Sequence, residues 1–206
     1  MHARPIRLLL ATVLAVVMTG CAETYKIRPI QLDESAALTI AADPLLKQVG
    51  LIGPRRSCTM AVTLNDVQAR VLEVLPGSGS EYCLGFYVSS GALALPLAEL
   101  RGLIAHGLAH LVLGHARTSA ASSGSSRARA RGYVQGRPHS LEEEAEADRE
   151  AARLLTTAAG GPACAGLGQV LERVAAEGDR WSEWTEQHPQ TPRRAIAARG
   201  LCAGKR

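Results

Sequence analysis

Two histidines with the spacing of a metal-binding helix lie near the middle of the chain. His106 and His110 are four residues apart in the segment 100–115, which contains no proline and is rich in helix-forming residues. Four residues turn a helix by about 400°, so both imidazoles leave one face, a single turn apart. The common zinc motif of this spacing, His-Glu-x-x-His, carries a glutamate as general base. Gly107 occupies that position here, so the segment predicts a metal site without its usual base.

A catalytic zinc site needs a third protein ligand and leaves a fourth position for water. Candidates lie on a predicted helix that begins at Ser140, where Ser140 and Glu143 have the spacing of a capping box. Glu144 and Asp148 are four residues apart on this helix and share a face. One of the two carboxylates can bind the metal while the other orients a ligand imidazole.

Three motifs, in this order along the chain, resemble those of the gluzincin peptidases of the CAAX prenyl protease class. That class includes bacterial membrane heat-shock proteases and periplasmic lipoprotein peptidases. The motifs are His-x-x-x-His at 106–110, Glu-x-x-Ala-Asp at 144–148, and His-Pro at 188–189 followed by Arg194. The resemblance covers about residues 35–200.

The resemblance implies roles for the matched positions. His106, His110 and Glu144 would bind one Zn²⁺, and Asp148 would orient a ligand imidazole. His188 would lie near the metal and face the substrate or the developing oxyanion. Gly107 departs from the pattern, because the family has there the glutamate that activates water and protonates the leaving amine.

The loss of the base predicts an impaired catalytic centre, since general acid–base help is worth about 10²–10⁴-fold. Among possible substitutes, Glu99 lies two turns earlier on the same helix, and Glu142 or Glu143, at the start of the second helix, is the candidate expected to reach the site. His115 and Glu146 are predicted by helical geometry to point away from the site. The glycine itself reflects either relaxed selection or a backbone that a neighbour must approach closely.

The expected fold class is α+β: a mainly helical, compact metallopeptidase-like domain with a small β-sheet along the cleft, where a peptide would add as a further strand. Residues 71–75 and 82–88 read as paired strands around the turn 76–80. Helices are expected over 34–49 (one or two), from Pro96 to near Gly114, over 140–157 and 163–177, and after Pro192. His139 is expected to be incidental, and Trp181 and Trp184 to be packing anchors rather than substrate platforms.

The N-terminus reads as an export signal. Residues 1–7 are basic, residues 8–18 are apolar apart from Thr12, and Cys21 follows in a context that resembles a bacterial lipobox. This predicts a lipoprotein signal peptide at 1–20, lipidation of Cys21, a tether over 21–33, and a domain over 34–206 containing a flexible Ser- and Arg-rich loop at 117–139. The alternative is an ordinary signal peptide with an incidental cysteine. With Ala22 after the cysteine, the outer membrane facing the periplasm is the expected location.

Export places the remaining cysteines in an oxidising compartment. Cys58, Cys83, Cys164 and Cys202 allow three connectivities, of which the two local pairs, Cys58–Cys83 and Cys164–Cys202, are favoured. The formal net charge is +4, and it falls to about +2 when Arg4 and Arg7 are removed with the signal peptide, which is too small to indicate nucleic-acid binding.

Three functions remain open from the sequence. The first is a lipid-anchored zinc metalloendopeptidase for unfolded or misassembled envelope proteins, impaired by the glycine at 107. The second is a pseudopeptidase that binds extended polypeptide as a chaperone or adaptor. The third is a structural lipoprotein without metal.

Overall fold

The computed structural model describes residues 27–50, 59–64, 70–76, 84–115, 138–189 and 192–203. Several predictions from the sequence lie outside these residues: the signal peptide 1–20, the lipidated Cys21, the pair Cys58–Cys83, and nearly all of the loop 117–139.

Helices account for most of the described chain, with one small sheet. The elements are β1 (Ile27–Pro29), α1 (Leu32–Gln48), β2 (Thr59–Leu64), β3 (Leu72–Pro76), β4 (Leu84–Ser89), α2 (Ser90–Leu93), α3 (Leu97–Val112), α4 (Leu141–Ala159), α5 (Gly161–Glu177), a 3₁₀ turn (Gly178–Trp181), α6 (Ser182–Gln187) and α7 (Pro192–Ala203). The expectation of a mainly helical α+β domain is confirmed. Within the described elements, no helix is long and apolar enough to cross a membrane.

The sheet has four strands in the order β1-β2-β4-β3. The predicted hairpin is confirmed, since β3 and β4 pair antiparallel with Leu72 opposite Val88. Strands β1 and β2 were not predicted: β2 runs parallel to β4, and β1 pairs antiparallel with β2. Because β1 lies inside the segment predicted as a tether, the folded part of the chain begins before residue 34. A three-residue strand ending in proline has no pattern of its own, and its pairing with β2 is what defines it.

Helix α3 lies at the centre of the domain and packs against α1, α4, α5 and β3. Its apolar face, including Leu103, Ile104 and Leu108, is almost fully buried. Against α5 the two backbones come very close, and a Cβ on Gly102 would lie 2.8 Å from the carbonyl oxygen of Gly166. Only glycine fits this crossing, which brings the histidine-bearing helix firmly against the C-terminal half of the domain.

Helix α1 is a single helix despite Pro44 in its interior. A proline has no N–H, so the carbonyl of Ile40, four residues earlier, loses its donor within the helix. The Arg101 guanidinium of α3 donates to that carbonyl oxygen at 3.1 Å. The side chain from the central helix thus compensates for the proline.

A disulfide joins Cys164 of α5 to Cys202 of α7, with the two Cα atoms 5.5 Å apart. This confirms one of the two predicted local pairs. Trp181 and Trp184 are buried to about the same extent as the aliphatic core, and their rings meet edge to face at 5.7 Å. Their burial agrees with the packing role expected from the sequence.

Candidate metal centre

Four buried side chains with metal-binding chemistry converge between α3, α4 and the end of α6. His106 and His110 come from α3, Glu144 from α4, and His188 from the residue after α6. All four side chains are nearly inaccessible to solvent. One ligand atom from each residue lies within 4.8 Å of the others, so the group could hold a metal ion.

The spacing of these atoms can be compared with that of a tetrahedral zinc site. Zinc–nitrogen and zinc–oxygen bonds of about 2.0–2.1 Å place neighbouring ligand atoms about 3.3–3.4 Å apart. The separations in the cluster are 3.1 Å for His106 Nε2 to His110 Nε2, 3.4 Å for His106 Nε2 to His188 Nδ1, and 3.1 Å for His188 Nδ1 to Glu144 Oε1. His106 Nε2 lies 3.3 Å from Glu144 Oε2, and His110 Nε2 lies 3.3 Å from Glu144 Oε1. These separations are close to those of a tetrahedral site, and the four residues could hold a metal ion.

Local sequence signals fix the helices that carry the donors. The predicted capping box is formed at the start of α4: the Ser140 N–H donates to Glu143 Oε2 at 2.7 Å, and the Glu143 N–H donates to Ser140 Oγ at 3.2 Å. This holds the first turn of α4, which contains Glu144. His188 is held by Trp184, whose indole stacks on the imidazole with ring centroids 4.5 Å apart.

Each of the three imidazoles also has a partner for the nitrogen that faces away from the cluster. The pairs are His106 Nδ1 with Asp148 Oδ1 at 3.0 Å, His110 Nδ1 with His115 Nδ1 at 3.3 Å, and His188 Nε2 with Glu73 Oε1 at 3.2 Å. Such partners fix the tautomer and ring orientation of metal-binding histidines. The pattern directs Nε2 of His106, Nε2 of His110 and Nδ1 of His188 toward the centre.

Arg194 balances the carboxylates of α4. Its Nε and Nη2 donate to the two oxygens of Asp148 at 2.8 Å each, and its Nη1 lies 2.6 Å from Glu144 Oε2. The same Nη1 donates to the carbonyl of Pro189, next to His188. This buried guanidinium therefore ties α7 to the metal-binding residues of α4 and to the segment that carries His188.

The electrostatics favour an ionised glutamate and a neutral His110. Burial alone would raise the pKa of Glu144, but the charge of His106 and hydrogen bonds from the three histidines bring this pKa far below its usual value. Burial lowers the pKa of His110 to about 2, with the neighbouring His106 and His188 acting in the same direction. Both residues are thus in the protonation state that binds a metal.

In His188 and Asp148, as in Glu144 and unlike His110, the partners outweigh the effect of burial on the pKa. Burial would lower the pKa of His188, but the Glu73 charge and the hydrogen bond to Glu144 raise it to about 9. Burial would raise the pKa of Asp148, yet hydrogen bonds from His106 and Arg194 lower it. A metal bound by His188 must therefore displace a proton from this imidazole.

Gly107 lies where α3 touches the edge strand β3. A Cβ at this position would be 2.6 Å from Val74 Cγ2 and 3.2 Å from Val74 Cβ. Val74 is buried in the core, so its side chain occupies the space that a side chain at position 107 would need. Of the two explanations left open by the sequence, the structure supports close approach of a neighbour.

His115 does not point away from the site, which corrects the helical-wheel prediction. That prediction assumed a helix through residue 115, but α3 ends at Val112 and Gly114 takes a φ of 75°. The chain turns back, and His115 lies between His110 and Glu146, with its Nε2 3.3 Å from Glu146 Oε2. Glu146 does not face the cluster itself, but it contacts the cluster through His115.

His139, which the sequence predicts to be incidental, lies beside the cluster. Its ring stacks on His110 with the ring centroids 3.8 Å apart. The backbone N–H of His139 donates to the backbone carbonyl of Gln187 at 2.9 Å. Burial lowers the pKa of His139 to about 4, helped by the charge of His188. The biased composition of the preceding segment concealed this placement.

The carboxylates considered as substitute bases have other partners or positions. Glu99 binds Arg173 through two contacts, one of them Nη2 to Oε1 at 2.8 Å. Glu143 takes part in the capping box, and Glu142 is exposed. Besides Glu144 and Asp148, Glu73 also reaches a cluster histidine, and the sequence did not predict this contact. The only feature of the sequence that could have indicated this role is that Glu73 is the single acidic residue in an apolar strand.

No protein-family model and no curated protein matches this chain. The resemblance to gluzincin peptidases therefore rests on the three sequence motifs. The capacity of His106, His110, Glu144 and His188 to hold a metal rests on their geometry.

Proposed function

We propose that the chain is a zinc-binding protein of the gluzincin peptidase type whose peptidase turnover is weak or absent. The observation that carries the proposal is the buried cluster of three imidazoles and one carboxylate, whose ligand atoms lie within 4.8 Å of one another. Imidazole-rich sites suit zinc and other late transition metals, whereas Mg²⁺ and Ca²⁺ prefer oxygen ligands. Zinc is the expected ion because it favours four-coordinate sites made of nitrogen and oxygen donors.

At a coordination position that no protein donor occupies, a bound zinc ion would supply Lewis-acid polarisation of a peptide carbonyl and acidification of a water molecule. The residues of this chain would hold the ion, orient the imidazoles and exclude bulk water from the buried cluster. Position 107, however, offers no side chain to take or return a proton. Without that help, the rate should fall by about 10²–10⁴-fold relative to an intact enzyme of this type.

A second function, binding of extended polypeptide without cleavage, is favoured by the packing at Gly107. The Cβ of a glutamate there would lie 2.6 Å from Val74 Cγ2, so the usual base does not fit unless Val74 moves. Strand β3 ends the described sheet and carries Glu73 beside the cluster. An extended peptide adding to this edge would lie close to the metal, as in other complexes formed by strand addition.

The proposed setting is the bacterial cell envelope. Cleavage before Cys21 and its lipidation would anchor the domain to the outer membrane, facing the periplasm, because several acyl chains hold a protein stably at a bilayer. The disulfide Cys164–Cys202 is compatible with an oxidising compartment. Unfolded or misassembled envelope proteins would be the polypeptides bound there.

A cleavage and binding assay with an unfolded protein tests the proposal. The purified protein, loaded with one equivalent of zinc, is incubated with fluorescently labelled reduced casein, with and without a chelator. The expected result is binding by fluorescence anisotropy with cleavage at least about a hundredfold below ordinary enzyme rates of 1–10³ s⁻¹. His106→Ala serves as the metal-free reference. Chelator-sensitive cleavage at ordinary rates would contradict the proposed loss of turnover.

A further inference from the structure

We infer that Glu73 is a positioning residue that keeps His188 in the cluster as a fourth protein ligand, so that the site is closed. The inference rests on the proposed zinc centre and concerns how many imidazoles the metal receives. It assigns a role to a residue outside all three sequence motifs, on a strand 115 positions away from His188.

The surroundings of His188 hold its ring on three sides. Nδ1 faces the cluster, 3.1 Å from Glu144 Oε1, and Nε2 lies 3.2 and 3.3 Å from the two oxygens of Glu73. One face of the ring stacks on Trp184. An imidazole placed in this way binds a metal through Nδ1 in the tautomer that carries its proton on Nε2, and the hydrogen bond from Nε2–H to Glu73 favours that tautomer.

The position of Glu73 is set by its strand neighbours. Leu72 and Val74 are buried in the core, and Val74 touches the backbone of α3 at Gly107. Because side chains alternate along a strand, burial of these two residues fixes the direction in which Glu73 leaves β3. The Glu73 carboxylate is largely shielded, with 15% of its side chain exposed. Its contact with His188 is therefore a product of core packing.

The chemical consequence is a preference for a closed site. A carboxylate that accepts the distal N–H of a ligand imidazole fixes the ring and makes it a better donor, and loss of such a partner typically lowers metal affinity by 10–100-fold. Zinc sites with four protein ligands hold the metal, whereas catalytic sites keep one position for water. Glu73 thus favours retention of the metal over access of a substrate to it.

X-ray absorption spectroscopy at the zinc edge tests the inference, because it counts coordinated imidazoles independently of activity. The samples are the zinc-loaded wild type, Glu73→Leu, Glu73→Gln and His188→Ala. Glu142→Gln serves as a matched control, since it neutralises an exposed carboxylate on the helix that carries Glu144. Zinc affinity is measured on the same samples by competition with a chelating dye, and folding by circular dichroism.

Three imidazoles are expected in the wild type and in Glu142→Gln, and two in His188→Ala and Glu73→Leu. Zinc affinity should fall 10–100-fold in Glu73→Leu. Glu73→Gln keeps an acceptor oxygen and should retain three imidazoles with a smaller loss of affinity. Should Glu73→Leu not fold, a Glu73→Gln variant with wild-type affinity would refute the role of Glu73.

Two imidazoles in the wild type, or three together with unchanged affinity in Glu73→Leu, would overturn the inference while leaving the zinc centre in place. A wild-type protein that binds no zinc would instead overturn the proposed function itself, and the inference with it.

Discussion

Adding a single methyl group at position 107 should destabilise the domain, although alanine is the better helix former. A Cβ on Gly107 would lie 2.6 Å from Val74 Cγ2, whereas ordinary contacts begin at 3.4 Å, so the two elements must separate by about 0.8 Å. Overpacking of this kind costs about 1–3 kcal/mol, and the helix propensity of alanine returns about 1 kcal/mol. Gly107→Ala should therefore lower the free energy of unfolding by about 1 kcal/mol.

Gly200 provides the matched control. It lies inside α7, and a Cβ there would meet no atom within 4 Å. Gly200→Ala should raise the free energy of unfolding by up to about 1 kcal/mol through helix propensity alone. Urea unfolding curves of the two variants should thus shift in opposite directions from the wild type.

Shortening Val74 should remove or reverse the loss of stability that Gly107→Ala causes. In a Val74→Ala background the two γ-carbons are gone, so Gly107→Ala should become neutral or stabilising, with a coupling energy of about 1–2 kcal/mol in the double-mutant cycle. The reasoning is refuted if Gly107→Ala stabilises the domain as much as Gly200→Ala and shows no coupling to Val74. The same geometry predicts that Gly107→Glu needs Val74→Ala before any restored cleavage can be sought.

Three further predictions concern the disulfide, the buried arginine and the metal. Reduction of the disulfide between Cys164 and Cys202, which are 38 residues apart, should lower the free energy of unfolding by about 4 kcal/mol. The urea midpoint should therefore be lower in the presence of a reductant. Urea unfolding curves that coincide with and without reductant would refute this. Arg194→Met leaves two buried carboxylates without their arginine partner and should lower the free energy of unfolding, measured in urea, by about 3–5 kcal/mol. Arg193→Gln, at an exposed position, should change it by no more than about 0.5 kcal/mol. Similar losses in the two variants would contradict the buried ion pair. Free zinc at a thousandfold excess over its Kd should stabilise the fold by about 4 kcal/mol, raising Tm by about 10 °C in calorimetry, and an unchanged Tm would indicate no binding to the folded state.

Local patterns predicted the parts of the fold that local forces determine. The β3–β4 hairpin follows from two apolar runs around a turn, and the start of α4 follows from its capping box. Strands β2 and β4 pair in parallel and come from segments that are separated in the sequence, so no short sequence pattern predicts their pairing. Strand β1 is defined only by its neighbour β2.

In the candidate site, too, local sequence predicts some features while others depend on tertiary contacts. The i, i+4 spacing on α3 and on α4 placed His106, His110, Glu144 and Asp148, because a continuous helix converts spacing into direction. The same spacing predicts the wrong direction for His115, since the helix ends three residues before it. Glu73 and Val74 act on residues of other elements through tertiary contacts, and helical or strand periodicity contains no information about such contacts.

The most direct test of the central claim is the zinc stoichiometry of the folded protein. Native mass spectrometry after loading and extensive dialysis should show one zinc ion per wild-type chain, and none in His106→Ala or Glu144→Gln with the fold retained. Wild-type protein that is free of zinc, or variants that keep one ion per chain, would contradict a metal centre built from these residues.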